Sequence, residues 1–122
     1  MYELVLKTHF SAAHRLREYE GDCERLHGHN WAIEVRVRTA QLNHLGMVAD
    51  FREVKRLVQE VIGRLDHHFL NDIPPFDEIN PTTENIARFL FDGLAKALPE
   101  GVRPAGVTAW ESEGCGVSYS DE

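Results

Sequence analysis

The chain has 122 residues, and 13 basic against 20 acidic side chains give it a formal net charge of −7. A chain of this length is expected to fold as one domain over residues 1–122, burying roughly two-thirds of its unfolded surface without needing disulfides. The acidic balance, and the lack of a basic stripe interleaved with aromatic residues, argue against a nucleic-acid partner and favour a small-molecule ligand.

The sequence also bears on the compartment in which the protein works. The N-terminus has neither a basic leader nor a long apolar stretch, and no segment approaches the roughly 20 apolar residues of a membrane span. The two cysteines, Cys23 and Cys115, do not make a disulfide framework, and reduced thiols are typical of the cytoplasm. We therefore expect a cytoplasmic protein without a membrane partner.

The first half of the chain begins with two predicted strands. Residues 2–10 alternate, and Trp31–Thr39 alternates cleanly between an apolar face and a charged face. This period of two predicts a half-buried antiparallel pair whose long connection is residues 11–30. The apolar face of the second strand holds Trp31, Ile33, Val35 and Val37, and its other face holds Glu34, Arg36 and Arg38.

Two helices and two further strands are expected next. Asp50 followed by Glu53 resembles a capping box, and apolar residues at helical spacing predict a helix over 51–65. The segment Pro81–Asn85 opens a second helix that ends before Pro99. The last strands are expected at 107–112 and 115–120, separated by Glu113-Gly114.

The order ββααββ predicts an α+β fold, in which a four-stranded antiparallel sheet has two amphipathic helices on one face. The other sheet face carries charged residues. It either faces water or lines a hydrated channel in an oligomer whose sheet edges pair between subunits.

A cluster of one thiol and two imidazoles, in the run Cys23-Glu24-Arg25-Leu26-His27-Gly28-His29, indicates a metal site. On an extended backbone His27 and His29 point to the same side, and His14 is a third candidate ligand. Three histidines leave a tetrahedral position open, as in catalytic zinc sites. If the Cys23 thiolate also binds, the site is closed and structural; if it stands beside the metal, it is a base or nucleophile.

Two further places carry acid–base groups. Asp66, His67 and His68 follow the first helix, where they either cap the helix end or supply a proton relay. Glu111 lies between Trp110 and Ser112 in an otherwise apolar strand, where alternation makes a solvated carboxylate ordinary. The sequence alone does not decide whether these groups have a structural or a catalytic role.

These motifs together, in this order and at these intervals, resemble those of the 6-pyruvoyltetrahydropterin synthase/6-carboxytetrahydropterin synthase family over essentially the whole chain. The motifs are Phe10-Ser11-Ala12-Ala13-His14, Cys23 with His27-Gly28-His29-Asn30, Leu65-Asp66-His67-His68, Asn80-Pro81-Thr82-Thr83-Glu84 and Trp110-Glu111-Ser112. The resemblance implies the tunnelling fold, in which trimers form a sheet barrel and two trimers stack into a homohexamer. It would make the charged sheet face a tunnel lining.

The resemblance also implies roles for single residues. His14, His27 and His29 become the ligands of a catalytic Zn²⁺, and Cys23 becomes an unligated base. His67 becomes the relay partner of this base.

The remaining implied roles concern the relay and the substrate. Asp66 supports the relay, and Glu111 binds the amino-pyrimidine edge of the pterin and joins the proton relay. Thr82 and Thr83 would line the same pocket from a neighbouring subunit.

The spacing before His27 bears on the product. Family members that make 6-pyruvoyltetrahydropterin commonly have five residues between the cysteine and the first histidine of His-Gly-His, whereas the 6-carboxy enzymes of queuosine and deazapurine biosynthesis commonly have three, as here. The chain is thus expected to convert 7,8-dihydroneopterin triphosphate to 6-carboxytetrahydropterin, acetaldehyde and triphosphate. Lys7, Arg15 and Arg25 are the nearest candidates to contact the triphosphate. The alternatives are 6-pyruvoyl activity and a non-catalytic zinc module closed by Cys23.

Overall fold

A computed structural model describes residues 1–18 and 25–122, so that Cys23 lies outside the described residues. It has a four-stranded antiparallel sheet in the order β1-β2-β3-β4 and two α-helices between β2 and β3. The predicted order ββααββ is confirmed. The elements are β1 Tyr2–His14, β2 His27–Thr39, α1 Phe51–Ile62, a short 3-10 turn at Leu70–Asp72, α2 Thr83–Ala97, β3 Arg103–Ser112 and β4 Cys115–Tyr119.

The first two strands are longer than predicted. They pair without a break from Tyr2 opposite Thr39 to His14 opposite His27, although a connection was expected over 11–30. Alternation of apolar residues stops near Phe10, but the antiparallel ladder is made by the backbone and continues through polar positions. The candidate metal ligands therefore lie on paired strands and not in a loop.

The first helix, α1, begins where predicted and ends three residues earlier. Asp50 is its N-cap and accepts a hydrogen bond from Arg52 N at 2.8 Å, so the cap does not use the predicted pairing with Glu53. Gly63 follows the last helical residue, and glycine is a poor helix former. Leu65 remains fully buried beyond the helix end.

The second helix packs closely on the first. Thr82 is the N-cap of α2, and its hydroxyl accepts a hydrogen bond from Asn85 N at 3.1 Å. At Gly93 an added Cβ would lie 2.7 Å from Val61 Cγ1. This glycine therefore permits the close approach of the two helices.

The two faces of the sheet divide as predicted. The helix side forms the hydrophobic core, whereas Arg36 on the other side donates hydrogen bonds to Glu34 Oε2 and Thr108 Oγ1, both at 3.0 Å. Phe51, the first residue of α1 and one of the apolar residues at helical spacing, does not join the core and is 67% exposed. The largest fully buried apolar side chains of the core are Trp31, Phe10, Phe76, Ile33, Leu65, Leu70, Ile86, Leu90, Leu94, Val35 and Val37.

The last hairpin contains an irregularity beside the candidate site. β3 begins before residue 107, the expected start, and β4 ends at Tyr119. Trp110 pairs with Gly116 and Ser112 pairs with Cys115, so that Glu111 is an extra residue without a partner in β4. Such a bulge changes the direction of a side chain.

Among the residues that the structure describes, no helix is both long and apolar enough to cross a membrane.

Candidate metal centre

Three histidines meet at one end of the sheet, on its helix-covered side. His14 and His27 are cross-strand partners on β1 and β2, and His29 follows two residues later on the same face. The Nε2 atoms of His14 and His27 lie 3.1 Å apart, and all three rings approach one another edge to face with centroids 4.6–5.1 Å apart. Strand register and period-two alternation thus bring the three predicted ligands together.

Backbone carbonyls orient two of the imidazoles. His14 Nδ1 lies 2.8 Å from the carbonyl oxygen of Pro81, and His27 Nδ1 lies 2.6 Å from that of Arg25. A carbonyl only accepts, so each Nδ1 carries the proton and donates it. The Nε2 lone pairs are left free and directed at the common centre, which is the arrangement that metal-binding histidines require.

The carbonyl that orients His14 is itself held in place. Asn80 makes a reciprocal pair with the backbone of Arg17, accepting from its N–H at 2.8 Å and donating to its carbonyl at 2.9 Å. Asn85 Nδ2 donates to the Asn80 carbonyl at 2.8 Å. The segment before α2 is thereby fixed to the end of β1, and with it the hydrogen-bond acceptor of His14 Nδ1.

An indole forms one wall of the centre. The ring of Trp31 is fully buried and lies edge to face with His14 and His29, at centroid distances of 5.0 and 5.2 Å. His14 is itself buried, and this burial lowers its pKa. Burial also lowers the pKa of His29, against the opposing effect of the Glu111 carboxylate. Both rings are thus favoured in the neutral form that binds metals.

A carboxylate completes the cluster. Glu111 Oε1 lies 2.8 Å from His29 Nε2 and 3.5 Å from His14 Nε2. One donor atom from each of His14, His27, His29 and Glu111 lies within 4.8 Å of all the others. The spacing of the sequence predicted the histidines, whereas the position of Glu111 against them comes from the packing of β3 beside β2.

The donor set fits a zinc ion. Ligand atoms about 2.0–2.1 Å from a tetrahedral zinc are roughly 3.3 Å from one another, close to the 3.1 Å between the Nε2 atoms of His14 and His27. Imidazole nitrogens with a carboxylate oxygen are ordinary zinc ligands. The cluster can therefore hold a metal ion, with three imidazoles as its core.

The two threonines expected to line the pocket occupy different positions. Thr83 is buried, and its Oγ1 lies 3.5 Å from Glu111 Oε2 and 3.5 Å from the indole nitrogen of Trp31. A neighbouring subunit was expected to supply it, but it meets Glu111 within the same chain. The hydroxyl of Thr82 instead caps α2.

Asp66 and His67 form a second polar group beside β1. Asp66 Oδ1 accepts the Ser11 N–H at 2.9 Å, and this hydrogen bond, with the nearby His67, lowers the pKa of the carboxyl. His67 Nδ1 lies 3.0 Å from Asp66 Oδ1, and its side chain is 81% exposed. The backbone of His67 is left-handed at φ 61°, held by its N–H bonded to the Ser11 carbonyl at 2.6 Å.

A surface depression lies beside Asp66 and His67. Its volume is about 480 Å³, and it is lined by residues of β1, β2 and the segment 67–69, among them His29 and His67. Its lining does not include His14, His27 or Glu111, so the structure does not join the His67 imidazole to the centre of the metal cluster. Cys23, the predicted base, is outside the described residues, and its role stays a prediction.

The buried imidazoles predict a pH-dependent stability of the metal-free protein. Because the pKa of His14 lies below its ordinary value of 6.5 in the folded state, the unfolded chain binds more protons as the pH falls below that value. The contribution of the neutral His14 ring to the free energy of unfolding is complete above pH 6.5 and should decrease below it. Thermal unfolding of the chelator-treated protein from about pH 8 to about pH 5 measures this effect.

Two variants make this measurement specific to the cluster. His14→Gln should flatten the dependence because it removes a buried titrating ring, whereas His44→Gln changes an exposed histidine and should leave the dependence as it is. If the thermal unfolding midpoint of the parent does not decrease as the pH is lowered from 6.5 to 5, burial of these rings has no effect on their protonation.

Known proteins resemble this chain along its length. The profile of the family described as 6-pyruvoyl tetrahydropterin synthase matches residues 3–122. A dihydroneopterin monophosphate aldolase of Pyrococcus furiosus is 37% identical over 114 residues, which cover 93% of each chain. A 6-carboxy-5,6,7,8-tetrahydropterin synthase of Bacillus subtilis is 36% identical over 102 residues, covering 80% of this chain and 68% of that protein. The solved 6-pyruvoyl tetrahydropterin synthase of Caenorhabditis elegans superposes with a TM-score of 0.85 at 26% identity, covering 99% of this chain and 96% of the other. The chain belongs to the 6-pyruvoyl tetrahydropterin synthase family.

Proposed function

We propose that the chain is a zinc-dependent 6-carboxy-5,6,7,8-tetrahydropterin synthase, a carbon–carbon lyase of queuosine and deazapurine biosynthesis. Its substrate would be 7,8-dihydroneopterin triphosphate, and its products 6-carboxytetrahydropterin, acetaldehyde and triphosphate. The observation that carries the proposal is the convergence of His14, His27 and His29 beside the carboxylate of Glu111. On this proposal a metal centre and a pterin-binding carboxylate would lie side by side.

The three histidines would hold the zinc ion. The Nε2 atoms of His14 and His27 are available to a metal because their Nδ1 atoms donate to backbone carbonyls. A zinc ion held there supplies Lewis acidity, which polarises oxygen substituents of the substrate side chain and acidifies the protons on adjacent carbons.

The acid–base work is assigned to Cys23, His67 and Asp66. A Cys23 thiolate would remove a carbon-bound proton at neutral pH if nearby cationic groups lower its pKa. His67 would carry this proton onward. Asp66, with its lowered pKa, stays ionised and holds the His67 ring by the contact of 3.0 Å.

Glu111 would bind the substrate by its pterin ring. The amino-pyrimidine edge of a pterin presents two neighbouring N–H donors, which match the two oxygens of a carboxylate. Thr83, 3.5 Å from Oε2, would help to position that carboxylate, and Thr82 would shape the same wall from the helix cap. A pterin held at Glu111 would lie beside the histidines, because Oε1 of Glu111 lies 2.8 Å from His29 Nε2.

Two observations support the choice of the 6-carboxy product. The three residues between Cys23 and His27 match the spacing common in 6-carboxy enzymes, and the Bacillus subtilis relative has that name. The 6-pyruvoyl activity is the alternative, after the name of the Caenorhabditis elegans structure. An aldolase acting on dihydroneopterin monophosphate is a third candidate, supported by the Pyrococcus furiosus relative that matches 93% of the chain.

The active form would be a homohexamer of two stacked trimers in the cytoplasm. β1 and β4 are the edges of the sheet, and open edges of this kind are available to pair with another subunit. The charged face with Glu34 and Arg36 would then line the tunnel, and Arg15 and Arg25, exposed at the strand ends near the histidines, would face the triphosphate. Light scattering of the purified protein measures its mass.

Product analysis tests the proposal directly. The zinc-loaded protein is incubated with 7,8-dihydroneopterin triphosphate, and the pterin and any two-carbon product are identified by mass spectrometry. We expect 6-carboxytetrahydropterin together with acetaldehyde and triphosphate. The protein carrying His29→Ala is the control, since a variant that has lost most of its zinc should form little product.

The other activities are distinguished by their products, and the aldolase also by its substrate, which is supplied in a second incubation. Release of triphosphate with 6-pyruvoyltetrahydropterin and no two-carbon aldehyde would assign the 6-pyruvoyl activity instead. An aldolase would cleave dihydroneopterin monophosphate and leave the phosphate on the two-carbon fragment. Absence of turnover with both substrates, in protein with full zinc content, would favour the non-catalytic zinc module.

A further inference from the structure

We propose a second ligand site on the open face of the sheet, which binds a planar aromatic compound that carries a negative charge. This face is not covered by helices, so the site lies on the opposite side of the sheet from the three histidines. A cavity of about 580 Å³ lies here, within the roughly 300–1,000 Å³ of small-molecule sites. The site requires neither the metal nor the proposed reaction.

Strand pairing sets the polar part of the cavity. One row across all four strands consists of Lys7, Glu34, Thr108 and Ser118, each opposite the next. Thr108 is only 8% exposed, and its hydroxyl is hydrogen-bonded to that of Ser118. The middle of the row is therefore a fixed polar surface, with the exposed lysine at its β1 end.

Trp110 provides an aromatic surface beside this row. It lies two residues from Thr108 on the same face of β3, opposite Gly116 of β4. A Cβ added at Gly116 would be 2.6 Å from the indole carbons Cδ2 and Cε3. The ring therefore rests against the backbone of β4, and it remains 40% exposed. Glycine within a strand often marks a close approach of this kind.

The guanidinium of Arg36 is held in a similar way on the other side of the row. A Cβ added at Gly106 would clash with its Nη2, and Nη1 donates hydrogen bonds to Glu34 Oε2 and Thr108 Oγ1, both at 3.0 Å. A single exposed indole would be ordinary on a protein surface. Here two glycines admit an aromatic ring and a cationic group to one cavity, and the sheet holds both groups in place.

The charges around the cavity favour an anion. Its lining has two cations, Lys7 and Arg36, and one carboxylate, Glu34, so one positive charge is left over, although the chain has a net charge of −7. Arg36 pairs with Glu34 at 3.0 Å. Lys7 makes no ion pair with any residue that the structure describes. An anionic group that enters the cavity would therefore meet an ammonium without a partner.

These features select the class of ligand. An aromatic ring can stack on the exposed face of an indole. Residues two apart on one face of a strand are separated by roughly 7 Å, so a bicyclic ring on Trp110 brings its substituent over the row that ends at Lys7. We therefore expect a bicyclic aromatic carboxylate to bind, and the simplest probe is 2-naphthoate. In the proposed hexamer the site would lie on the wall of the tunnel.

NMR of the indole N–H groups tests the site in the zinc-loaded parent. The chain has two tryptophans, so ¹⁵N-labelled tryptophan gives two indole signals. Added 2-naphthoate should shift the Trp110 signal in a saturable way. It should leave that of Trp31, which is buried against His14 and His29 and would report a carboxylate bound at the metal centre. An unmoved Trp110 signal overturns the site.

Two further compounds separate the effect of the ring from that of the charge. Cyclohexanecarboxylate has the charge without the aromatic ring, and 2-naphthalenemethanol has the ring without the charge. In the same titration of the Trp110 signal, both should bind at least about threefold more weakly than 2-naphthoate, because aromatic stacking and the pairing of an exposed charge each add modestly to affinity. Binding of either compound as tightly as 2-naphthoate overturns the proposal.

Calorimetric titration of variants tests the two side chains directly. Trp110→Leu and Lys7→Gln should each weaken binding of 2-naphthoate at least about threefold. Lys55→Gln removes an exposed lysine of α1 with the same change of charge and should leave the affinity as it is. Lys7 is exposed, so its variant should fold even if the Trp110 variant does not. Affinity equal to the parent's in Lys7→Gln, or in a folded Trp110→Leu protein, overturns the assignment.

Discussion

Replacement of His29 by alanine should remove most of the bound zinc and reduce turnover to that of the metal-free protein. His29 provides one of three imidazole nitrogens at the centre, and its loss leaves two imidazoles. That set holds zinc at least about tenfold less tightly in competition with water and buffer. Elemental analysis after dialysis measures zinc content, and product formation measures turnover.

The choice of variants depends on how deeply each histidine is buried. His29 is half-buried, so the fold should survive the substitution, as it should for His27→Ala. His14 is only 2% exposed and packs on Trp31, which makes its removal a test of packing as well. His68→Ala is the matched control, because His68 is exposed and lies outside the cluster. Full zinc occupancy in both the His27 and His29 variants would show that the cluster is not the metal site.

Replacement of Cys23 by alanine should have a different effect, in which the protein keeps its zinc but loses turnover. Zinc content and thermal stability should stay at the parent's values, because His14, His27 and His29 are the expected ligands and offer three donor atoms without a thiol. Turnover should fall by roughly 10²- to 10⁴-fold, the usual cost of removing a general base. Elemental analysis and steady-state kinetics on the same preparation measure both effects.

The second cysteine provides the control for this variant. Cys115 is a free, exposed thiol on β4, so Cys115→Ala should keep both zinc and turnover. Loss of zinc from Cys23→Ala would assign the thiolate to the metal and support the closed structural site. Retained zinc with unchanged turnover would remove Cys23 from the reaction and leave the base to be found elsewhere.

The fold could be predicted from the sequence because its signals are local. Alternation over Trp31–Thr39 identified a strand and its buried face, and helical spacing after Asp50 and Thr82 identified both helices. The end of β1 was placed wrongly, at residue 10 instead of His14. Beyond that point the side chains are polar or small, and the ladder depends on backbone hydrogen bonds that no side-chain pattern records.

The metal cluster was accessible from the sequence in part. His27 and His29 are two residues apart on a strand, so their common direction follows from the backbone alone. His14 became a ligand candidate by its type and position, and only the pairing of β1 with β2 sets it opposite His27. Pro81, whose carbonyl orients His14, is 67 residues away in the chain.

Glu111 shows most clearly what tertiary structure decides. In the sequence it is one carboxylate in an apolar strand, for which exposure to solvent is the ordinary outcome. In the folded chain it is the extra residue of a bulge, with one oxygen against His29 and the other facing Thr83. Composition and periodicity determined the fold class and two adjacent candidate ligands, because those depend on neighbours along the chain. Register, the bulge and the packing of α2 brought the third histidine and the carboxylate to them, because such contacts join segments that sequence periodicity cannot relate.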